Sequence, residues 1–523
     1  MKKYLKFLPL LALGFVSCQP ELDKPIDEAG FYTNGEADYT NYVALGNSLT
    51  AGYANGALYI TGQENSYPNI MAQQFSLVQE TGDFTQPLMA DNAGGLLMGG
   101  TPIPDFNNRR VVAYFGIDPS FEIYTGMDPT TDITNVLSGP FNNMGVPGAK
   151  SFHLLAPGYG DIAGLTPPET ANPYFVRFAS SPQTTILADA VAQNPSFFSL
   201  FIGNNDVLSY ATSGGIGEDQ TGNLDPSTYG KDDITDPQVF ASVYSQIVTA
   251  MVGTGAGGVL LNIPDVTTIP YFTTIPNNAL VLDAATAANL TGFFRAVAGI
   301  FIQKAMMGGA TMEQAQALAA QYALTFTEGP NRFLIDVPVT QTNPLGFRQM
   351  TQQELLVLTI DQQALKQGYG SVVLTPEVMQ VLGLLQQGGQ PSAEQAMLVI
   401  NAVSGIDDKD ALDNPEIQAI DAATTAYNIT IKNQAQEKGL AFVDINAFLT
   451  LVANGGIPYD AGTLTSEFGT GGAFSLDGVH PTPRGYAAMA NLIIDAVNQK
   501  YSSTVPKVNI GDYGTLTLSN DVQ

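Results

Sequence analysis

The segment Tyr42-Val-Ala-Leu-Gly-Asn-Ser48 indicates the fold class, because a short apolar run leads directly into a Gly-Asn pair and a serine. Comparable apolar runs occur at Phe197–Ile202, Val259–Ile263 and Phe442–Ile445. Short continuous apolar runs are typical of parallel strands that are buried on both faces of a sheet. The sequence therefore predicts a parallel sheet built from these runs.

Helical stretches at Ile186–Val191, Val239–Met251 and Ile417–Glu437 lie between the predicted strands. Helices that connect parallel strands cover both faces of the sheet, which predicts an α/β fold. Ligands of such sheets bind at the carboxyl ends of the strands. Ser48 and Asn205 both fall just past a predicted strand end, so we expect the site there.

Ser48 and His480 are the first candidates for chemistry. A serine hydroxyl is a weak nucleophile until a base takes its proton, and imidazole titrates near neutral pH. His480 is one of only two histidines in the chain of 523 residues. Asp477 precedes it on a single turn, where its carboxylate can reach one ring nitrogen and direct the other toward the serine. The pattern predicts a triad of Ser48, His480 and Asp477.

Four segments together resemble the sequence blocks of the SGNH, or GDSL, hydrolase superfamily. They are Gly46-Asn-Ser48-Leu, the glycine at 148, Gly203-Asn-Asn-Asp206 and Asp477-Gly-Val-His480-Pro-Thr. Asn47 stands where the family name has aspartate. Because that position is not a triad member, the departure concerns the substrate side of the site rather than the reaction.

The resemblance implies an SGNH-hydrolase (flavodoxin-like) three-layer sandwich with a parallel central sheet, here with a helical insertion. It implies that Ser48, Asp477 and His480 are catalytic. It also implies an oxyanion hole formed by the backbone N–H groups of Ser48 and Gly148 and the side-chain amide of Asn205. No cofactor and no metal are expected.

Each block also has a purely structural interpretation. Gly46-Asn-Ser48 alone could be any turn from a strand to a helix, and Gly203-Asn-Asn-Asp206 alone resembles an ordinary turn. The α/β-hydrolases use the same residue types in the same chain order, but their serine lies in Gly-x-Ser-x-Gly, and Thr50 replaces the second glycine here. The other histidine, His153, is interpreted as a surface or loop residue that nothing nearby orients.

The amino terminus predicts secretion and lipid attachment. Lysines follow Met1, an apolar stretch covers residues 7–16, and the only cysteine of the chain, Cys18, ends the segment. This is typical of a signal peptide, residues 1–18, and it resembles a lipobox with Cys18 as the lipid-modified residue. Residues 19–40 are predicted to form a tether. By the same resemblance, Gln19 favours the outer membrane of a Gram-negative cell, on its periplasmic or surface face. No other segment is predicted to span a bilayer.

Charge and composition exclude several partners. Residues 1–18 hold three of the 20 basic side chains and no acidic one, so their removal shifts the net charge from −28 to −31. Such a surface repels phosphate backbones, so nucleic acid is not expected as a partner. No His or Cys cluster predicts a transition-metal site. The acidic stretch 218–236 lacks the spacing of a calcium loop and is interpreted as a solvated loop.

The length of the chain leaves residues beyond one compact sheet domain. Capping-box motifs at Thr311, Thr351 and Ser392 predict that the largest surplus is helical and that a helix begins after each motif. Met306 and Met397, with Met307, are candidates for an acyl-chain groove or for core. The predicted order is core 41–270 with an insertion at 76–140, a helical insertion or lid at 271–415, core 416–500 and a tail at 501–523.

The function that these observations favour is a serine esterase or lipase acting on acyl or lipid esters. Its expected partners are a small-molecule or lipid ester and, through the lipid anchor, a membrane. A carbohydrate O-acetyl esterase is one alternative, although the absence of tryptophan tilts the balance toward lipid. A surface lipoprotein that binds ligands without catalysis is the other.

Overall fold

The computed structural model describes residues 31–114 and 120–516. The predicted signal peptide, its Cys18 and residues 19–30 of the predicted tether lie outside the described residues, as do residues 517–523 of the tail. The described part is a mixed α/β protein with a parallel central sheet.

Five parallel strands form the central sheet. They are β1 (Tyr42–Gly46), β2 (Asn143–Gly145), β3 (Phe197–Phe201), β4 (Gly257–Leu261) and β5 (Ala441–Val443). Their spatial order is β2-β1-β3-β4-β5, and all neighbours run parallel. This is the strand order of flavodoxin-like doubly wound sheets. The four predicted strands are confirmed, whereas the apolar pattern does not predict β2, whose Asn-Met-Gly sequence contains a single large apolar residue.

The main helices connect and cover these strands. They are α1 (Tyr67–Phe75), α2 (Ile186–Val191), α3 (Asn205–Thr212), α4 (Pro237–Val252), α5 (Ala284–Met307), α6 (Asn414–Lys438), α7 (Ile445–Asn454) and α8 (Pro483–Tyr501). Short helices occupy Ser48–Ala51, Ile60–Glu64, Pro173–Val176 and Pro270–Thr273. The three predicted helical stretches are confirmed as α2, α4 and α6.

Helices lie on both faces of the sheet because crossovers between parallel strands are right-handed. The chain steps from β1 to β2 in one direction and from β3 to β5 in the other, so α1 and α4 fall on opposite faces. On one face Phe75 of α1 contacts Phe197 of β3, with ring centroids 5.5 Å apart. On the other, Phe240 of α4 stacks on Tyr427 of α6 at 4.2 Å. These four rings belong to one large hydrophobic core.

Residues 76–140 add small sheets beside the main one. Leu96–Met98 pairs with Thr101–Pro102 and Thr131–Asp132, and Arg110–Tyr114 pairs with Ser120–Ile123. The Arg110 N–H donates to Asn55 O at 2.7 Å, and Arg110 Nη1 donates to Leu476 O at 3.2 Å. This segment therefore contacts the loop that precedes His480.

The segment predicted as a helical insertion, residues 271–415, is only partly helical. Besides α5, its helices are Met312–Ala319, Gln362–Lys366, Pro376–Gln386 and Ala393–Ile400. Short antiparallel strands pair Leu280–Leu282 with Gly329–Asn331, Leu334–Asp336 with Phe347–Gln349, Leu355–Leu356 with Ala411–Leu412, and Ser371–Val372 with Val403–Ser404. A second hydrophobic core, separate from that of the sheet, lies within residues 282–402. A further hairpin, Ile457–Tyr459 with Gly462–Leu464, follows α7.

The capping box predicted at Thr351 does not start a helix, whereas those at Thr311 and Ser392 do. The Thr351 N–H donates to Glu354 Oε2 at 2.7 Å, so half of the motif is present. Glu354, however, is buried and accepts both Arg348 Nη1 and Arg348 Nη2, at 2.8 and 2.5 Å. The next two residues pair as a strand with Ala411–Leu412, and this tertiary pairing overrides the local signal.

Helix α5 differs from the expectation that no segment after the signal peptide is long and apolar enough to span a bilayer. Among the described residues it is the one helix long and apolar enough to cross a membrane by length and composition, although no such segment was expected beyond the signal peptide. Half of its most apolar window is buried inside the protein, where Phe293, Phe294 and Val297 belong to the second core. Its packing is that of a core helix. Met306 at its end and Met397 nearby are exposed, so they are not core residues.

The predicted tether is folded where it is described. Tyr39 is fully buried and stacks on Phe75 of α1 at 3.9 Å. The Glu36 N–H donates to Tyr501 O at 2.7 Å, and Thr33 exchanges hydrogen bonds with Thr504. Hydrogen bonds from the end of α8 and from the tail after it therefore hold the amino-terminal segment against the sheet domain. Residues 33–39 are not a free linker.

Candidate active site

Three neighbouring strands position Ser48, Gly148 and Asn205 at one edge of the sheet. Central strand β1 pairs with β2 and β3, and its last residue, Gly46, lies opposite Gly145 and Phe201. Ser48, Gly148 and Asn205 follow shortly after these three strand ends. Because the strands are parallel, residues far apart in sequence meet at their common carboxyl edge.

The structure brings Ser48, His480 and Asp477 into one hydrogen-bonded chain. His480 Nε2 lies 2.8 Å from Ser48 Oγ, and His480 Nδ1 lies 2.9 Å from Asp477 Oδ2. Ser48 and Asp477 are buried, and the side chain of His480 is 13% exposed. In this geometry the imidazole can accept the serine proton while the carboxylate holds the ring.

Asp477 is held as a carboxylate by several donors. Its Oδ1 accepts the N–H groups of Val479 and His480 at 2.9 and 2.8 Å and the hydroxyl of Ser475 at 3.1 Å. Its Oδ2 accepts the Gly56 N–H at 2.9 Å. Burial alone would raise the pKa of Asp477, but the charge of His480 and these hydrogen bonds outweigh it and hold the pKa well below its ordinary value.

The loop that carries His480 is fixed at both ends. The Ser475 N–H donates to His480 O at 2.8 Å, which closes the turn around Asp477. Thr482 caps α8, since its Oγ1 accepts the Gly485 N–H at 3.0 Å, as the Thr-Pro sequence favours. The predicted insertion also contacts this loop, because the Tyr271 N–H donates to Gly478 O at 2.9 Å.

Three candidate donors lie in the segments that follow β1, β2 and β3. The backbone N–H groups of Ser48 and Gly148 donate to no other group among the described residues. Asn205 Nδ2 donates one hydrogen to Ala149 O at 3.0 Å, which ties it to the Gly148 loop and leaves its second hydrogen available. Asn47 Nδ2 donates to Asn204 Oδ1 at 3.2 Å, so the residues before Ser48 and Asn205 are also joined.

Gly148 has a conformation that favours glycine. Its φ is +81°, in the left-handed region that side chains with a Cβ rarely adopt. An added Cβ would meet only Asn172 Nδ2, at 3.6 Å, so backbone conformation rather than crowding demands glycine here. Asn172 Nδ2 in turn donates to Pro147 O at 2.8 Å and supports the loop.

Several supporting residues were not predicted. Asn55 Oδ1 accepts the Leu476 N–H at 3.0 Å, Gly56 donates to Asp477, and the ring of Tyr53 lies 4.7 Å from that of His480. The Asn55-Gly56 dipeptide is a recognisable turn signal. Sequence alone does not reveal that this turn packs against a loop four hundred positions away.

His153 is oriented, contrary to expectation. It lies half-buried in the short 3-10 helix Ser151–Leu155, where its Nδ1 accepts the Lys150 N–H at 3.0 Å and its ring stacks on Tyr159 at 4.4 Å. Burial, with the charge of Lys150 adding to it, lowers the pKa of His153 to about 3. The imidazole is therefore neutral near neutral pH and supports the loop after Gly148.

The acidic stretch 218–236 uses its carboxylates internally. Asp233 accepts the N–H groups of Glu218 and Gly230 at 2.9 and 2.7 Å, and Asp236 caps α4. No group of three or more His, Cys, Asp or Glu side chains placed to hold a metal occurs within residues 31–114 and 120–516.

Comparison with known proteins addresses the family. Residues 365–493 match the model of the family GDSL-like Lipase/Acylhydrolase. The matched segment includes Asp477 and His480, whereas Ser48, Gly148 and Asn205 precede it. No curated protein and no solved structure matches the chain. The family match confirms the resemblance found in the sequence: the chain carries a GDSL-like lipase/acylhydrolase domain of the SGNH/GDSL hydrolase superfamily, a family of ester-hydrolysing enzymes.

Proposed function

We propose that this protein is a serine esterase that hydrolyses carboxylic esters, with Ser48 as nucleophile, His480 as general base and acid, and Asp477 as the residue that orients His480. The observation that carries the proposal is the chain of contacts from Asp477 Oδ2 through the imidazole to Ser48 Oγ, at 2.9 and 2.8 Å. The β2-β1-β3-β4-β5 strand order supports an SGNH-type three-layer sandwich around it.

The first half of the reaction forms an acyl-enzyme. Ser48 Oγ attacks the ester carbonyl carbon while His480 Nε2 takes the hydroxyl proton. The carbonyl oxygen becomes an oxyanion, which accepts hydrogen bonds from the N–H groups of Ser48 and Gly148 and from Asn205 Nδ2. The bond between carbon and alkoxy oxygen then breaks, and His480 gives its proton to the departing alcohol.

The second half releases the acid. A water molecule attacks the acyl carbon while His480 takes one of its protons, and the same three donors stabilise the second oxyanion. Collapse of this intermediate breaks the bond to Ser48 Oγ, and His480 returns the proton to the serine. The products are one alcohol and one carboxylic acid, and the enzyme is regenerated.

A fluorophosphonate probe tests the proposal. We expect stoichiometric modification of Ser48 in the wild type, read by mass spectrometry, and none in Ser48→Ala. Hydrolysis of para-nitrophenyl acetate should be lost in parallel. A correctly folded wild type that is inert to both reagents would favour a ligand-binding lipoprotein over an esterase. Labelling of another serine, with hydrolysis retained in Ser48→Ala, would move the nucleophile elsewhere.

We also propose that the protein is anchored to the cell envelope through a lipid on Cys18, in the outer membrane of a Gram-negative cell. The charged start, the apolar stretch and Cys18 support this. In a Gram-negative host, the wild type should incorporate labelled palmitate and fractionate with membranes. Cys18→Ser should incorporate none and appear in the soluble fraction. Membrane association that survives Cys18→Ser without lipid would contradict the anchor.

A further inference from the structure

The loop after β2 carries Gly148 and is hydrogen-bonded to the start of α3. Ala149 O accepts Asn205 Nδ2 at 3.0 Å. Ser151 donates its N–H to Asp206 Oδ2 at 2.8 Å and its hydroxyl to Asp206 Oδ1 at 2.7 Å. Two of the three candidate oxyanion donors, the Gly148 N–H and Asn205 Nδ2, therefore depend on the position of this one loop.

Lys150 lies in the same loop and makes a different contact. It is 2% exposed, and its Nζ donates to Asp233 O at 2.6 Å and to Gly230 O at 3.4 Å. Both acceptors belong to the acidic stretch 218–236. Most of this stretch is exposed or half-buried, which fits the solvated loop expected from its composition, but residues 233–236 are buried. The ammonium of Lys150 therefore joins the loop that carries Gly148 to the acidic stretch.

The segment that Lys150 contacts is itself held in place. Asp233 Oδ2 accepts the Gly230 N–H at 2.7 Å, which closes the turn that supplies both carbonyl oxygens. The Thr235 N–H donates to Asp206 O at 3.1 Å and attaches the segment to α3. Lys150 therefore binds a partner that is fixed to the same helix as Asn205.

The buried ammonium of Lys150 has a cost that indicates a role for its hydrogen bonds. Burial lowers the pKa of Lys150, and the charges of Asp206 and Asp233 oppose this effect. Removing an ammonium from water costs free energy that an apolar side chain in the same place would not. An apolar side chain could fill the space, but it could not donate to the two carbonyl oxygens. The contact between the loop and the acidic stretch is therefore what the charged residue adds.

We propose that Lys150 is a positioning residue for the oxyanion hole: its ammonium fastens the loop to the acidic stretch and so keeps the Gly148 N–H and Asn205 Nδ2 in place to bind the oxyanion. This inference rests on the proposed esterase function. Oxyanion donors act only within hydrogen-bond distance of the developing charge, and a displacement of about 1 Å caused far from the chemistry can lower the rate roughly 100-fold. Lys150 acts through the loop, because its ammonium is bound to the carbonyl oxygens of the stretch.

Lys150→Met tests this role, because methionine is a long unbranched side chain without a donor. We expect kcat for para-nitrophenyl acetate, counted per Ser48 that a fluorophosphonate labels to completion, to fall by roughly 10- to 100-fold. KM should change little, because the oxyanion exists only near the transition state. The affinity for a trifluoromethyl ketone, whose adduct with Ser48 carries an oxyanion, should weaken by a similar factor. Lys231→Met, in the same stretch but with a side chain 91% exposed, is the matched control and should change none of these quantities.

The outcomes separate this role from a purely structural one and from the function on which it rests. If Lys150 only stabilised the fold, Lys150→Met would lower the fraction of protein that is labelled and leave kcat per labelled Ser48 unchanged, and that result would overturn the proposal. A loss confined to KM, or an equal loss in Lys231→Met, would overturn it as well. Activity that survives Ser48→Ala would instead overturn the proposed esterase function.

A second variant decides the question if Lys150→Met does not fold. Asp233→Asn keeps Lys150 but replaces the carboxylate that accepts the Gly230 N–H, so the turn that supplies the two carbonyl oxygens is weakened. We expect kcat per labelled Ser48 to fall about three- to tenfold at unchanged KM. An unchanged kcat in this variant would reject the role of Lys150 and of the acidic stretch.

Discussion

The proposed chemistry depends on single side chains, and three of them, Ser48, His480 and Asp477, meet in one chain of hydrogen bonds. Serine, histidine and aspartate are recognisable by residue type and motif. The groups that support them cannot be recognised in this way. Gly56, for example, donates to Asp477 through its backbone N–H, which every residue except proline carries. The pairing of Asn47 with Asn204 likewise appears only after β1 and β3 lie side by side.

Asp477→Asn should lower kcat on the order of 10⁴-fold with little change in KM, because an amide holds the imidazole in the wrong tautomer. The depressed pKa of Asp477 keeps the wild-type carboxylate charged above about pH 5, so protonation of Asp477 should not contribute to the wild-type pH profile between about 5 and 9. Steady-state kinetics across that range measure it. Ser475→Ala, which removes one of the donors to Oδ1, is the milder control. A loss below about tenfold in Asp477→Asn would remove Asp477 from the proposed triad.

Asn205→Ala should lower kcat by roughly 100- to 1000-fold, as expected for the loss of one oxyanion donor. The same substitution removes the hydrogen bond to Ala149 O, so a thermal melt must show that the variant is folded under assay conditions. KM should change little, because the oxyanion exists only near the transition state. Unchanged turnover in a folded variant would exclude Asn205 from the oxyanion hole.

Helices and strands begin where local signals and tertiary packing agree. The limits of α2 are the predicted ones, and α8 begins at Pro483 after the cap Thr482. At Thr351 the same kind of motif fails, because Glu354 is engaged by Arg348 and the following residues pair across to another strand. A capping motif predicts where a helix could begin. Whether the helix forms also depends on other residues that bind the same side chains, as Arg348 binds Glu354.

Glu416, in the first turn of helix α6, should lower the free energy of unfolding at alkaline pH. Burial, and after it the neighbouring acids Asp413 and Asp408, raise the pKa of Glu416 from 4.5 to about 7. Folding thus favours the protonated carboxyl of Glu416. The stability that this protonated carboxyl contributes is fully present below about pH 4.5 and is lost as the pH rises through about 7. Glu416→Gln stays neutral and can still accept the capping hydrogen bond.

The expected result is equal urea stability of Glu416→Gln and wild type near pH 4.5, and a variant more stable by roughly 1 kcal/mol at pH 8.5, after allowance for partial exposure. Glu437→Gln, an exposed change on the same helix, should show no such pH-dependent gain. A variant whose stability follows the wild type at both pH values would show that the Glu416 carboxyl is already ionised in the folded protein.

Two large hydrophobic cores lie in the described part of the chain, and this division was only partly predictable. Apolar runs identify the sheet, because buried parallel strands are distinctive in sequence. The core within residues 282–402 mixes helices with strands of two or three residues, which are too short to show a periodicity. The length of the chain predicts that residues remain beyond the sheet domain. The strand pairs among these residues could not be predicted, because they depend on contacts between distant segments.

Separate cores should lose structure separately. Phe294, fully buried in α5, contacts Phe326 and Phe347 with ring centroids 5.5 and 6.0 Å apart, and its truncation to alanine should cost about 3–5 kcal/mol. We expect Phe294→Ala to increase hydrogen exchange in the elements that form the second core, α5 among them, while fluorophosphonate labelling of Ser48 persists. Phe198→Ala, in the sheet core, should abolish labelling at lower urea than Phe294→Ala does. Loss of labelling at the same urea concentration in both variants would mean that the two cores unfold as one cooperative unit.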